Sequence, residues 1–169
     1  PNGKTRPHSP FEPVTGKKVK AVVSKDVYPQ GYISAVEAKA ACTMAGKRLC
    51  TPDEWSRACM GKNPTRYPYG DDEVKGRCNG DGTRNHPVVE LFGTSPDAFA
   101  DPAKMNDARI NQLPGTLAKT GSHPKCRSSY GAFDLVGNLH EWTADQAGNS
   151  QFKGGYYMDT HQNGDGCQY

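Results

Sequence analysis

At 169 residues the chain is long enough for one domain with a buried core. Only 34% of its residues are hydrophobic, and its 19 Gly and 13 Pro, with a mean hydropathy of -0.81, point to a loop-rich fold. The net charge of +3 is scattered, with Lys17, Lys18 and Lys20 the one local run, so no aromatic-interleaved basic patch supports nucleic-acid binding; no stretch approaches the roughly 20 apolar residues of a membrane span.

Residues 1–18 hold four Pro and little periodicity, and residues 1–20 are expected to form an extended lead-in or linker, with a domain over 21–169. The chain opens at Pro1 without an initiator Met or a visible signal peptide, which reads as a processed piece and leaves export open. Lys20–Val23 is a strand candidate. Ser34–Gly46 is the clearest helix: Ser34 caps it, Glu37 completes a capping box, and Gly46 stops it. Val36, Ala40 and Met44 recur on one face. A second helix follows, with Thr51 as cap, Pro52 as its first residue and Glu54 as the box partner. Trp55, Ala58 and Cys59 share its face, and Gly61 ends it. From Asn63 to Pro124 the chain is mostly turns, with weak helical turns at 92–105 and 107–113. A loop region this long is generally functional. Strand-like pieces return at Leu139–Thr143 and Phe152–Met158, with Gly154-Gly155 marking a bulge or close backbone approach.

Ordering long loops costs roughly 1–2 kcal/mol per residue in backbone entropy, so something besides the core should hold this fold. Six Cys (42, 50, 59, 78, 126 and 167) are dispersed, with no CxxC pair to suggest zinc. Dispersed, even-numbered Cys in a polar chain favour disulfides and an oxidising compartment over free buried thiols. The location expected is therefore extracellular, periplasmic or cell-surface. Spacing alone does not choose among the pairings.

The stretch GAFDLVGNLHEW, residues 131–142, carries the most chemistry. Asp134 and Glu141 bracket the permissive pair Gly137-Asn138, and Trp142 closes the turn. Oxygen ligands from both ends of a tight loop suit a hard cation such as calcium. The competing reading is an Asx-turn at Asp134 and a surface salt bridge at Glu141.

Three segments together resemble one family. GKRLCTPDEWSRAC (46–59) is similar to a GKRLPTEAEWEYA-type helix. YPYGD (67–71), followed by Asn79, is similar to a YPWG…N loop. GAFDLVGNLHEWTAD with FKGGYY (131–157) is similar to a GLYDMxGNVWEW…RGGSW core. This is the sulfatase-modifying-factor family, whose founding activity is the formylglycine-generating enzyme. The resemblance implies an α+β, loop-rich fold related to C-type lectins, with two short helices packed on small antiparallel sheets. It also implies a closing C-terminal strand that this chain lacks or receives from elsewhere. Cys59 is then expected to pair with Cys167, and Cys42 with a Cys of the absent strand.

By the same resemblance, calcium is held by Asp134, the carbonyls of Gly137 and Leu139, and Glu141. Asn79 and the Gly80 carbonyl match half of a second calcium site, with Asp107 or Asn111 as the remaining partner. The family's catalysis uses two thiols that bind copper(I) after the GGS strand. Here Asp159 stands at the first thiol position and Gly164 nearest the second, while Tyr156 replaces a Ser and His140 a Trp. A carboxylate does not replace a copper(I) thiolate pair, so copper and formylglycine formation are not expected. The remaining readings are a binding or scaffold domain for a protein, peptide or glycan, a structural module of a larger surface protein, and a divergent enzyme. In the last, His140, Asp159 and His161 would cluster in the former active-site pocket.

Overall fold

The computed structural model describes residues 6–82 and 84–169. Two helices come first: α1, Ala35–Met44, and α2, Pro52–Met60. Both start at complete capping boxes, Ser34 with Glu37 and Thr51 with Glu54, so each first turn is satisfied by residues within a four-residue window. The α1 helix ends in a Schellman reversal. Gly46, at φ 69°, donates its N–H to the Thr43 carbonyl, and Lys47 donates to the Cys42 carbonyl at 2.9 Å.

The apolar stripe of α1 faces outward. Val36 and Met44 are 79% and 53% exposed, and Ala41 is the residue that packs inward. The small side chain lets α1 approach the rest of the domain closely, while the larger ones face solvent. Lys20–Val23 forms no strand either. The Ala21 N–H reaches the Ala41 carbonyl at 3.0 Å, and Val22 and Val23 project outward. By contrast, α2 buries Trp55 and Cys59 fully.

Residues 87–112 fold into α3, Pro87–Phe92, α4, Pro96–Ala100, α5, Pro102–Met105, and a 3-10 turn, Ala108–Gln112. The sequence pattern predicts only weak turns at 92–105 and 107–113, and α3 lies almost wholly before them. The overlooked signal is a cap followed by proline. His86, Ser95 and Asp101 each accept a backbone N–H on the first turn, and a Pro follows each. Val88, Ala98 and Ile110 form a small core for this excursion, with Leu91 and Phe92 against it.

Among the described residues the regular sheet is a single hairpin: β1, Glu141–Ala144, pairs antiparallel with β2, Ser150–Lys153, Trp142 opposite Phe152. The expected second strand is displaced toward the N-terminus because Gly154 and Gly155, both with positive φ, break the ladder. The main core gathers Trp55, Tyr67 and Val136 around Cys59, Cys78, Cys126 and Cys167. Cys59 is bonded to Cys167 and Cys78 to Cys126, while Cys42 and Cys50 are free. Disulfide sulfur thus fills the centre that a more hydrophobic chain would fill with aliphatic side chains.

The described part of the expected lead-in is docked. Val14 is 2% exposed, the Gly31 N–H reaches the Pro10 carbonyl at 3.0 Å, and the Gln30 amide donates to the Pro10 and Glu12 carbonyls. Residues 1–5 lie outside the described residues. Among the described residues, no helix is long and apolar enough to cross a membrane.

Candidate functional site

The segment 131–142 is held as a fixed turn by three distant pieces of chain. Gly137, at φ 75°, packs against the Asn79 backbone so closely that a Cβ would collide with the Asn79 carbonyl. Asn138, also at positive φ, is buried. Its side-chain oxygen accepts from Asn79 Nδ2 at 3.0 Å and the Ala118 N–H at 2.8 Å, and its Nδ2 donates to the Ala118 carbonyl. Its backbone N–H donates to the Asn79 carbonyl at 2.7 Å. By sequence Asn138 is only turn-permissive; in the structure its amide is the joint between the 79, 118 and 138 loops.

This turn brings Asp134 and Glu141 into electrostatic contact. Asp134 is held at φ 58°, with its Oδ2 accepting the Gly121 N–H at 2.9 Å. Glu141 begins β1. Its carboxyl is surrounded by protein and accepts the Trp55 indole N–H from α2. Burial pushes its pKa up to about 7; the indole bond opposes this, and the charge of Asp134 adds to it. Among the described residues, the carbonyl oxygens of Gly137 and Leu139 take no hydrogen bond. The turn thus carries two carboxylates, Glu141 desolvated and without an ion-pair partner among the described residues, and two carbonyls that take no hydrogen bond. That all-oxygen donor set fits a hard divalent cation better than a surface salt bridge. Trp55 is the participant the sequence could not supply, because it lies 86 residues from Glu141.

In the second set, Asn79 donates through Nδ2 to Asn138 and the Thr116 carbonyl, and Gly80 packs against Thr160. Asp107 is forked by Arg109 at 2.9 and 2.8 Å, whose hydrogen bonds hold its pKa down to about 2. Asn111 is buried and accepts the Tyr157 hydroxyl at 3.0 Å. Both proposed completing ligands are therefore engaged in other contacts.

Beyond the turn, His140 enters an aromatic pocket. Its ring centroid lies 4.5 Å from Phe152, 5.2 Å from Tyr156 and 5.5 Å from Tyr169. Nδ1 is sealed from solvent and has no partner among the described residues. Burial lowers the pKa, against the pull of Asp159, so the imidazole stays neutral at pH 7. Asp159 is already committed: Oδ1 accepts the backbone N–H groups of His161 and Gln162, and Oδ2 accepts the Tyr169 hydroxyl at 3.2 Å. Its backbone bridges Tyr156 in a tight turn. Thus His140, Tyr156 and Asp159 do come together.

His161 does not join them. Its ring is engaged by other carboxylates, with Nδ1 2.9 Å from Asp165 and Nε2 3.2 Å from Glu73. Among the described residues, no three His, Cys, Asp or Glu side chains gather as a metal cluster. The Asp165 hydrogen bond leads in raising the His161 pKa, with Glu73 adding. A raised folded-state pKa stabilises fully below the unfolded value of about 6.5 and loses its effect as pH rises through the folded value. The parent should therefore exceed His161→Asn in stability at about pH 5.5, with the gap shrinking by about pH 8.5. The pair is half exposed, so the gap should be about 0.2–1 kcal/mol by urea denaturation. An equal gap at both pH values would contradict the assignment.

Comparison with known proteins follows the same geometry. A family model described as the sulfatase-modifying factor enzyme 1-like domain matches residues 8–165. The chain is 31% identical over 124 residues to the inactive C-alpha-formylglycine-generating enzyme 2 of Bos taurus, covering 70% of this chain and 33% of that protein. It is 31% identical over 130 residues to the formylglycine-generating enzyme of Thermomonospora curvata, covering 74% and 36%. It is 28% identical over 120 residues to the hercynine oxygenase of Mycolicibacterium thermoresistibile, covering 69% and 20%. The chain thus spans about a third or less of the length of these relatives. A match that begins in the docked Pro-rich segment and runs through the turn and the aromatic pocket places this chain in the sulfatase-modifying factor enzyme 1-like domain family.

Proposed function

We propose that this chain is a non-catalytic, calcium- and disulfide-stabilised binding or scaffold module of an exported protein, on a fold akin to C-type lectins. The observation that carries this reading is the state of Asp159. It stands where the resemblance expects a redox thiol, and both its carboxylate oxygens are consumed by the Tyr169 hydroxyl and two backbone amides. The other expected thiol position is Gly164, and Cys167 is tied to Cys59. The free thiols, Cys42 and Cys50, belong to the α1–α2 region. Without a soft thiolate pair in the pocket, copper(I) has no suitable ligands there. Two disulfides in the core support export to an oxidising compartment.

In this reading Asp134, the Gly137 and Leu139 carbonyls, and Glu141 hold calcium, which supplies charge neutralisation and rigidity rather than chemistry. Loops on that frame present the ligand-binding surface, with residues 63–124 as its largest part. The partner class is a protein, peptide or glycan.

The test is direct. Incubated with copper(I), oxygen and a cysteine-bearing sulfatase-type peptide, the domain should yield no peptide aldehyde by mass spectrometry; stoichiometric aldehyde would overturn the reading. Glycan and peptide arrays probed with calcium-loaded domain then separate binder from scaffold, and uniformly blank arrays would remove the binder. One observation favours a divergent enzyme as the second reading: the neutral His140 with its sealed, unpartnered Nδ1. That reading requires a redox metal at stoichiometric occupancy which is lost in His140→Ala.

A further inference from the structure

The loop that leads into the 131–142 turn builds a charged face that no window of the sequence displays. Residues 125–128 alternate exposed and buried, so Lys125 and Arg127 project together while Cys126 and Ser128 turn inward. Arg127 bridges Phe133 antiparallel, and the Ser128 N–H reaches the Ala132 carbonyl at 2.9 Å, which closes 127–133 into a small hairpin. The tip of that hairpin rests on the end of α2. The Lys62 N–H donates to Ser129 Oγ at 2.8 Å, and Arg57 Nε donates to the Tyr130 hydroxyl at 3.1 Å. Arg57, Lys62, Lys125 and Arg127, all exposed, are thus gathered from two segments far apart in the chain. Among the described residues none of the four is in an ion pair.

Aromatic rings stand between these cations. Arg57 Cζ lies 6.0 Å from the Tyr130 ring centroid and Arg127 Cζ 5.1 Å from that of Phe133, with the two residues 48% and 42% exposed. A guanidinium laid on a ring has less freedom to lose when a carboxylate takes its fork. Exposed aromatics beside Arg are also the residue types that anchor protein interfaces. An open groove of about 450 Å³ runs between α2 and Tyr130, lined by Asp53, Glu54, Arg57, Ala58 and Tyr130. Arg48 holds Glu54 at 2.6 Å, which leaves Asp53 as the groove's one carboxylate without an ion pair among the described residues.

We propose that this face docks an acidic peptide segment in which carboxylates alternate with apolar or aromatic side chains. The proposal rests on the binding-module reading and gives that module its partner class. The carboxylates pair with Arg57, Lys62, Lys125 and Arg127, and the side chains between them cover Tyr130 and Phe133. Asp53 sets a peptide apart from a nucleic acid or a sulfated glycan. It repels an unbroken line of negative charge, whereas it accepts a backbone N–H from a peptide lying in the groove.

The test uses arrays of short synthetic peptides in which Glu or Asp alternates with Phe, Tyr, Leu or Val, beside matched arrays with Lys in place of the acids. The calcium-loaded domain should be retained on the acidic arrays and not on the basic ones. Binding of the best acidic peptide in solution should weaken as salt rises from about 0.05 to about 0.5 M, because exposed charges are screened. The double variant Arg57→Ala, Arg127→Ala should bind that peptide about tenfold or more weakly, with a melting temperature close to the parent's because both side chains are exposed. Lys125→Glu, at a side chain that makes no hydrogen bond among the described residues, should weaken it independently. The charge-matched control Lys18→Ala, Lys39→Ala, on the lead-in and α1, should bind as the parent does.

Equal retention on acidic and basic arrays, or on neither, would overturn the proposal. So would heparin or oligothymidylate binding more tightly than the acidic peptides through the same arginines. Parent-like binding by the arginine variant, or an equal loss in the control, would remove this face and leave the binding-module reading standing. The peptide-aldehyde assay judges that reading separately, because its outcome does not depend on Arg57 or Arg127.

Discussion

Stripping calcium with EDTA is expected to lower the melting temperature by about 5–10 °C relative to the calcium-saturated domain. The size follows from mass action: a ligand at 100 times its dissociation constant stabilises by about 2.7 kcal/mol, and 1 kcal/mol shifts a domain of this length by about 2–4 °C. The cause lies at Glu141, whose carboxyl is buried against Trp55 and near the charge of Asp134. Without a cation that charge is desolvated and repelled; with one it is neutralised. Substitution separates this effect from simple structural damage. Glu141→Ala also orphans the Trp55 indole N–H, which costs about 1–3 kcal/mol with or without metal. Glu141→Gln keeps volume and acceptor but removes the charge. It should be less stable than the parent in calcium and no less stable in EDTA. A melting temperature indifferent to EDTA in the parent, or the same penalty for Gln in both buffers, would reject the calcium site.

The second large effect is expected at the Cys59–Cys167 bond. It joins α2 to the C-terminal segment across a sequence separation of 108, and both residues are fully buried. In the chain-entropy account, closing a loop of about 100 residues is worth about 4.7 kcal/mol, and native disulfides generally give about 2–5. The double variant Cys59→Ser, Cys167→Ser should therefore lose about 5–20 °C, read by thermal denaturation at fixed calcium. Cys78–Cys126 spans a separation of 48 and lies in the same core, so its removal should cost slightly less by the same logarithmic dependence. A double variant that melts with the parent would mean that the unfolded chain is already compact enough to make the cross-link redundant.

Much of the local architecture is legible from short windows of sequence. The two capping boxes predict α1 and α2 because each donor and acceptor lies three residues apart. The Gly137-Asn138 turn is likewise visible, since both residues tolerate positive φ. The cap–Pro starts of α3, α4 and α5 carry the same kind of information, but each helix is too short for periodicity to show. Periodicity at α1 marks the helix but not its buried side: Val36, Ala40 and Met44 align on the outer face. A stripe reports a direction around a helix, not what stands opposite it.

The candidate site divides in the same way. Sequence by itself determined the family, the carboxylates flanking a tight turn, and the presence of Asp159 and Gly164 where the resemblance expects redox thiols, because these are matters of residue identity and spacing. Only the tertiary structure decided that Trp55 meets Glu141, that Asn138 joins the 79 and 118 loops, and that His161 turns to Glu73 and Asp165 instead of His140. It also decided that Asp107 and Asn111 are engaged with Arg109 and Tyr157. Capping and turn preferences act over a few bonds, so a short window contains both partners. Burial, charge pairing and cross-chain hydrogen bonds join residues tens of positions apart, and their partners are fixed only when the whole chain packs.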